Sequence, residues 1–302
     1  MQAEDKINIS EVCQQTGVAA VTLRAWERRY GLIKPKRTPK GHRLYSQANI
    51  QEIMKVVGWL NRGVAISKVA ELLAAAETPV QVSTNEESWQ QVQQELLSTL
   101  IDLKQRSLNP LLDKLNKSMP FESLCEKVYQ PLLRQLMERW QSIPLGYQLE
   151  QQLWQQCWQR QVTLMALRAD KQKSRANCWL VNLDIQESTF DYWLFYALLL
   201  QSGIQINAIN QVSDLSALPR LRNSLEQPLI IFGDNKMVTR EINQVVKAKA
   251  LWGRDSIVIG LVADIHQKVL ANMEVDHMGG NAITCWQSSC YQSWVERLAL
   301  KG

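Results

Sequence analysis

Histidine is scarce in this 302-residue chain, with only His42, His266 and His277 present. None stands at ligand spacing from a cysteine. The six cysteines, Cys13, Cys125, Cys157, Cys178, Cys285 and Cys290, form no CxxC pair, which excludes the usual zinc and dithiol motifs. Scattered thiols of this kind suit buried positions in a reducing compartment. No apolar run reaches the roughly 18 residues that a membrane span needs. The opening MQAEDKINIS lacks the charged start and apolar core of a secretory signal. A cytoplasmic chain with no membrane partner is therefore expected. Paired carboxylates and nucleophile–base pairs are also missing, so catalysis is not expected.

What the chain does have is charge concentrated in one place. Residues 1–80 hold 12 basic and 7 acidic side chains, whereas residues 81–302 hold 22 of each, so the net +5 sits in the N-terminal quarter. Between Arg24 and Arg43 there are eight Lys or Arg and one acid, Glu27. A basic, aromatic-bearing segment in an otherwise neutral chain points to a polyanion, nucleic acid first. The length suffices for two or three cores.

Local patterns place this charge on a motif. Ser10 is the expected cap of a first helix, with Glu11 in its first turn and Val12 inward. Gly17 ends that helix in a left-handed turn. A second helix starts at Thr22 and runs to about Tyr30, with Val21, Leu23, Ala25 and Trp26 inward and Arg24, Arg28 and Arg29 outward. Two short helices with a tight glycine turn make a helix-turn-helix. Gly31 to Tyr45, punctuated by Pro35, Pro39 and Gly41, reads as a two-stranded wing with a basic tip, with Leu32, Ile33 and Leu44 as core. The charges have two readings, a solvated face or a phosphate-binding face, and their clustering on two adjacent elements favours the second. The expected DNA-contact set is Thr22, Arg24, Trp26, Arg28, Arg29, Tyr30, Lys36, Arg37, Lys40, His42, Arg43 and Tyr45. Arg24 is the best candidate to reach a base edge, and Trp26 and Tyr30 are expected to be partly buried braces.

The run TLRAWERRYGL…KGHRLYS resembles the winged helix-turn-helix of MerR-type transcription regulators, over roughly residues 7–75. Its Trp-Glu-Arg-Arg-Tyr form is similar to the cobalamin-associated CarH and LitR branch. The resemblance implies two further helices, Ser46–Asn61 and Ala65–Ala76, and a two-fold dimer on a pseudo-palindromic promoter site.

Residues 77–87 are polar and read as a linker, closing a DNA-binding domain of residues 1–76. From Trp89 to about Leu167, apolar residues recur every three or four positions. Val92, Leu96, Leu97, Leu100 and Leu103 mark one amphipathic segment, Leu111, Leu112 and Leu115 a second, Leu124, Val128, Leu132 and Leu136 a third. Leu149, Leu153, Cys157 and Val162 mark the fourth. That pattern predicts a four-helix bundle over 88–172, with a kink at Pro131. Residues 178–183, 204–209, 229–233, 257–262 and 282–286 are short apolar runs separated by helical stretches. They predict a parallel, doubly wound, five-stranded (flavodoxin-like) α/β domain over 173–302. The fold class is thus mainly α plus α/β.

A bundle followed by such a sheet resembles the cobalamin-binding module, and VYQPLLRQLMERWQSIPLGYQLEQ looks like its bundle motif. Trp140 falls where that family covers the cofactor's upper face, and Glu150 matches a family Glu ten residues on. After the first strand the resemblance breaks down. Glu187 fits, but Thr189 stands where the family's cobalt-ligating His belongs, and Tyr192 stands where its Gly belongs. Threonine cannot replace an imidazole ligand, and a tyrosyl ring fills cofactor space. Trp140, Glu150, Glu187, Thr189 and Tyr192 are therefore read as a vestigial ligand cleft, with no cofactor and no metal expected. Core packing also accounts for Trp140, Trp154 and Trp158. Asp184, Glu187 and Asp191 suit either a ligand edge or the first turn of a helix, and Gly279-Gly280 reads as a tight turn with no clear helix after it.

These features imply a sequence-specific DNA-binding regulator, a dimer or higher oligomer, independent of cobalamin. It resembles the MlrA-type regulators of curli and biofilm genes, which brings RNA polymerase or an effector protein into view as partners. The alternative is a cobalamin- or small-molecule-responsive, light-sensing repressor. A corrinoid methyltransferase subunit is opposed by Thr189 and by the DNA-binding head.

Overall fold

The computed structural model describes residues 7–61, 64, 66–74, 86–142, 145–169, 176–183, 189–212, 214–218, 227–289, 291 and 293–294. The chain forms two compact units, Met1–Leu153 and Trp154–Gly302.

In the first unit, β1 (Ile7–Asn8) leads into α1 (Ile9–Thr16). The cap is Asn8, not Ser10. Asn8 accepts from the backbone N–H of Ser10 and Glu11, and Glu11 reaches back to the Asn8 N–H. Asn8 wins because it alone has the extended backbone of a cap, while Ser10 already lies within the helix. Gly17, at φ 68°, ends α1 as expected. Helix α2 begins two residues before Thr22, at Ala20, and Ala20–Ala25 continues into a wider turn, Trp26–Tyr30. Gly31 (φ 62°) stops it. The wing strands β2 (Lys36–Arg37) and β3 (Arg43–Tyr45) pair antiparallel, and β1 adds a third strand through Ile7–Tyr45 and Asn8–Leu44. Helices α3 (Gln47–Asn61) and α4 (Ile66–Ala74) complete this part. One core holds it, with Val12, Val18, Leu23, Trp26, Leu32, Ile33, Tyr45, Ile53, Val56 and Leu60 buried together. Leu44 is only partly buried, because Tyr45 takes the inward register and strand neighbours face opposite sides.

Of the expected linker, residues 77–85 lie outside the described residues, and Glu86 and Glu87 already belong to α5 (Glu86–Ile101). Next come α6 (Gln105–Ser118), α7 (Phe121–Leu124) with a wide turn at Cys125–Tyr129, α8 (Gln130–Ser142) and α9 (Tyr147–Ala169). The first, second and fourth predicted amphipathic segments are α5, α6 and α9, and the third runs from α7 through the wide turn into α8. Pro131 has no N–H to give the carbonyl four residues back, that of Lys127. The helix widens there, and the Gln93 side chain donates to the Lys127 carbonyl at 2.7 Å instead. Leu103 and Leu149 point to solvent, against expectation. Leu103 lies past the end of α5 with φ 52°. Leu149 lies beside the inward face of α9, which Glu150 and Trp154 carry.

The second unit is a parallel sheet of order β5-β4-β6-β7-β8. Its strands are β4 (Ala176–Asn182), β5 (Ile204–Ile209), β6 (Leu229–Phe232), β7 (Ser256–Ile259) and β8 (His277–Met278). The helices are α10 (Phe190–Gln201), α11 (Thr239–Trp252), α12 (Leu261–Ile265), α13 (Gln267–Asn272) and α14 (Ala282–Gln287). The order second-first-third-fourth-fifth is the predicted doubly wound arrangement, with its switch point between β4 and β6. The fifth strand is misplaced in the prediction. Residues 282–286 form α14, because Asn281 accepts from the Ile283 and Thr284 N–H groups and starts a helix. A clear helix therefore does follow Gly279-Gly280. Trp154 and Trp158 are buried and pack on Phe190. Among the described residues no helix is long and apolar enough to cross a membrane.

Candidate nucleic-acid interface

Arg24, Arg28 and Arg29 are exposed on the outer face of α2 and its terminal turn. Lys36, Arg37, Lys40 and His42 are exposed on the wing, whose tip is shaped by Gly41 (φ 82°). There Thr38 accepts from the Gly41 N–H at 2.8 Å and donates its own N–H to the His42 carbonyl at 2.9 Å. Lys34, exposed between the helix and the wing, extends the same surface. The expected contact set omits it, and its place in the basic run is the signal that could have found it.

Two predicted contact residues, Thr22 and Tyr45, face inward, and Trp26, also in the contact set, lies on the inner face expected of it. Thr22 and Tyr45 are about as buried as the Val12 and Ile53 side chains, and Trp26 is completely buried. Their apolar surface is needed to seat α2 and β3 on the core, so none is offered to a ligand. Burial pushes the Tyr45 phenol up to about 12, and its hydroxyl has no partner among the described residues. Tyr30 is half-buried against the same core, the bracing place expected of it.

Glu27 organises the remainder. Its carboxylate accepts from Arg37 at 2.7 Å and from Arg43, joining the end of α2 to both wing strands. Burial would raise its pKa, but the hydrogen bonds from Arg43 and Arg37 outweigh that and hold it below the usual range. Arg43 is thereby largely committed to the fold, whereas Arg37 keeps half of its side chain exposed. The surface can thus neutralise phosphates from two elements held at a fixed spacing. A lone acid inside a basic run was the available signal for this clamp.

The predicted ligand cleft is distributed over both units. In the first, the Trp140 indole donates to Glu150 Oε2 at 2.9 Å, and Arg139 grips the same carboxylate at 3.0 and 2.9 Å. Trp140 is partly exposed, not core, because this bond holds it at the surface end of α8. In the second unit, Thr189 caps α10 by accepting the Tyr192 N–H, and its hydroxyl donates to Asp234. That contact bridges the sheet's switch point. Tyr192 is fully buried against Phe232, Trp193 and Tyr196, and its hydroxyl donates to Asn210. An imidazole-ligated cobalamin needs a nitrogen ligand at the first position and open space at the second; this chain supplies neither. Asp184 and Glu187 lie outside the described residues.

Elsewhere along that edge, carboxylates satisfy backbone donors. Asp264 accepts the Gly280 N–H at 2.7 Å, Asp234 the Leu261 N–H at 3.3 Å, and Asp191 the Ala282 N–H at 3.4 Å. Gly279 has no room for a side chain, since a Cβ there would overlap the Asp264 carboxylate. Burial raises Asp191. Burial pushes the Cys285 thiol up to about 12, against a backbone hydrogen bond at Gly260 that lowers it, with Asp191, Asp264 and Asp234 adding to the rise. Among the described residues no His, Cys, Asp or Glu group is arranged to hold a metal.

The fold and surface define a winged helix-turn-helix joined to a helical segment and a corrinoid-protein-like α/β unit. Residues 7–76 match the family model described as MerR HTH family regulatory protein. Over 128 residues the chain is 38% identical to the HTH-type transcriptional regulator MlrA of Escherichia coli (strain K12), covering 42% of this chain and 51% of that protein. It is 29% identical over 174 residues to the HTH-type transcriptional repressor CarH of Myxococcus xanthus, covering 54% and 57%. The chain thus spans about half the length of the curated relatives it matches. Both are transcription regulators, not enzymes. The monomethylamine corrinoid protein of Methanosarcina barkeri shares the fold at TM-score 0.50 and 11% identity, covering 69% of this chain and 99% of that one.

Proposed function

We propose that this chain is a sequence-specific, double-stranded-DNA-binding transcription regulator that works as a dimer or higher oligomer and does not depend on cobalamin. The observation carrying the reading is the exposed set Arg24, Arg28 and Arg29 beside Lys36, Arg37, Lys40 and His42, with helix and wing tied together by Glu27. Two cationic elements at fixed spacing suit a major groove and its flanking phosphates. Support for cobalamin independence comes from Thr189, whose hydroxyl is spent on Asp234, and from the buried ring of Tyr192. RNA polymerase or an effector protein is the partner this reading expects at the promoter. Curli and biofilm promoters, suggested by the MlrA-type resemblance, are the first to try.

Selection from random genomic fragments tests the reading. A pseudo-palindromic site should be enriched, and Arg24→Ala should abolish the enrichment. Recovery of no common site, with Arg24→Ala indistinguishable from the parent, overturns it. An absorption spectrum after incubation with adenosylcobalamin in the dark, followed by gel filtration, decides the cofactor question; a coloured protein peak would restore the repressor-sensor alternative.

A further inference from the structure

Helix α6 ends at Ser118, and the last carbonyls of any α-helix have no partner within it. The Ser118 carbonyl is used by the DNA-binding domain, because the Trp26 indole N–H donates to it at 2.8 Å. Both groups are buried, with Trp26 at 0% and Ser118 at 5% exposure. A buried donor without an acceptor is costly, so this bond has a preferred direction that apolar packing lacks. Two further contacts lie beside it. Met119 packs on the DNA-binding domain's core, and Ser123 at α7 donates to Asn61 at the end of α3 at 2.6 Å.

The junction is itself held from within the bundle. Tyr129 donates to Asn116, two residues before the end of α6, at 2.6 Å. Two residues earlier, the Lys127 carbonyl receives Gln93 of α5 at 2.7 Å. A row of polar contacts thus runs from α5 through the wide turn at Cys125–Tyr129 and α6 to the indole of Trp26. That indole opens the turn carrying Arg28 and Arg29, and Arg24 lies two residues before it.

We infer that the last turn of α6 positions the recognition helix, with Ser118 and Asn116 as positioning residues and Trp26 as the lever between the bundle and the DNA-reading cations. The inference rests on α2 being the recognition helix. A shift of α6 turns the indole and with it the three arginines, so the bundle is part of the DNA-binding head and the place where a regulatory event reaches it.

Hydrogen exchange on the full chain without DNA separates this from the DNA-binding reading. Tyr129→Phe removes only a hydroxyl, outside the winged domain, and Trp26→Phe removes the indole donor. Each should raise amide exchange across residues 20–30 by about fivefold, the scale of one lost hydrogen bond. Thr99→Ala, which deletes a hydroxyl bonded within α5 to the Glu95 carbonyl at 2.6 Å, should leave that segment unchanged. Exchange of residues 20–30 at the parent rate in both Tyr129→Phe and Trp26→Phe overturns the inference. So does a rise spread equally over strands β4 and β6, which signals global destabilisation. On the selected operator, Tyr129→Phe should weaken specific binding more than nonspecific binding; equal loss on both overturns the positioning role. Raised exchange in a protein that selects no operator leaves the bracing intact and sinks only the DNA-binding reading.

Discussion

Glu27 Oε1 accepts a hydrogen bond from Arg37 at 2.7 Å, across the gap between the last turn of α2 and the first wing strand. The other oxygen takes Arg43, so the single acid of the basic segment holds helix and wing together. Glu27→Gln should cost about 1.5–3 kcal/mol in urea unfolding, the range for hydrogen bonds to a charged group. Its folded pKa is depressed, so its stabilisation is complete above the unfolded value near 4.5 and fades as pH falls through the folded value. The gap between parent and Glu27→Gln should therefore be constant at neutral pH and close on acidification. A gap that instead widens toward acid refutes the clamp.

The exposed and the buried members of the basic segment should behave oppositely on DNA. Removing Arg28 or Arg29 should lower the slope of log affinity against log salt by about 1 for each phosphate that is no longer neutralised. Tyr45→Phe should leave slope and affinity unchanged. Its buried hydroxyl has no partner among the described residues, so the fold should be equally or slightly more stable. Filter binding over a salt series reads the first effect and thermal melting the second.

Pro131 and Gln93 should be coupled. Gln93→Ala strips the Lys127 carbonyl of its donor and should cost about 1–3 kcal/mol. In a Pro131→Ala background, where residue 131 has an N–H to offer, the same substitution should cost less. A double-mutant cycle by chemical denaturation measures the difference, and strict additivity would show that the carbonyl does not depend on Gln93.

Restoring a cobalt ligand should not be enough to bind cobalamin. Thr189→His should stay colourless with adenosylcobalamin, because the Tyr192 ring fills the interior behind it. Adding Tyr192→Gly opens that space at a cost on the order of 3–5 kcal/mol, as for large aromatic truncations. Visible absorption of the single and double variants, read beside their melting curves, checks both statements. Colour in the single variant would show that the ring yields.

The sequence makes legible whatever a pattern of several residues encodes. The glycine turn at Gly17, the cationic face of α2, the wing and four of the five strands leave such patterns. A two-residue strand such as His277–Met278 leaves none, and the apolar run at 282–286 suits a capped helical turn as well as a strand; Asn281 decides it. Thr22 and Tyr45 are misassigned from sequence because side chains able to hydrogen-bond, standing beside arginines, read as part of the same face. Register and helix phase decide burial, and here each points inward. The Trp26–Ser118 bond links residues 92 positions apart, a separation that no local pattern reports.

The notch at Gly279 has a consequence for any ligand that approaches the sheet's carboxyl edge. Asp264 already occupies the position beside the Gly280 N–H that a phosphate would seek. Being part of the same chain, it competes at the high effective concentration of a tethered group. An anion from solution must expel a resident one and then tolerate its charge nearby. At this one N–H the seat of an incoming anion is already filled from within the chain.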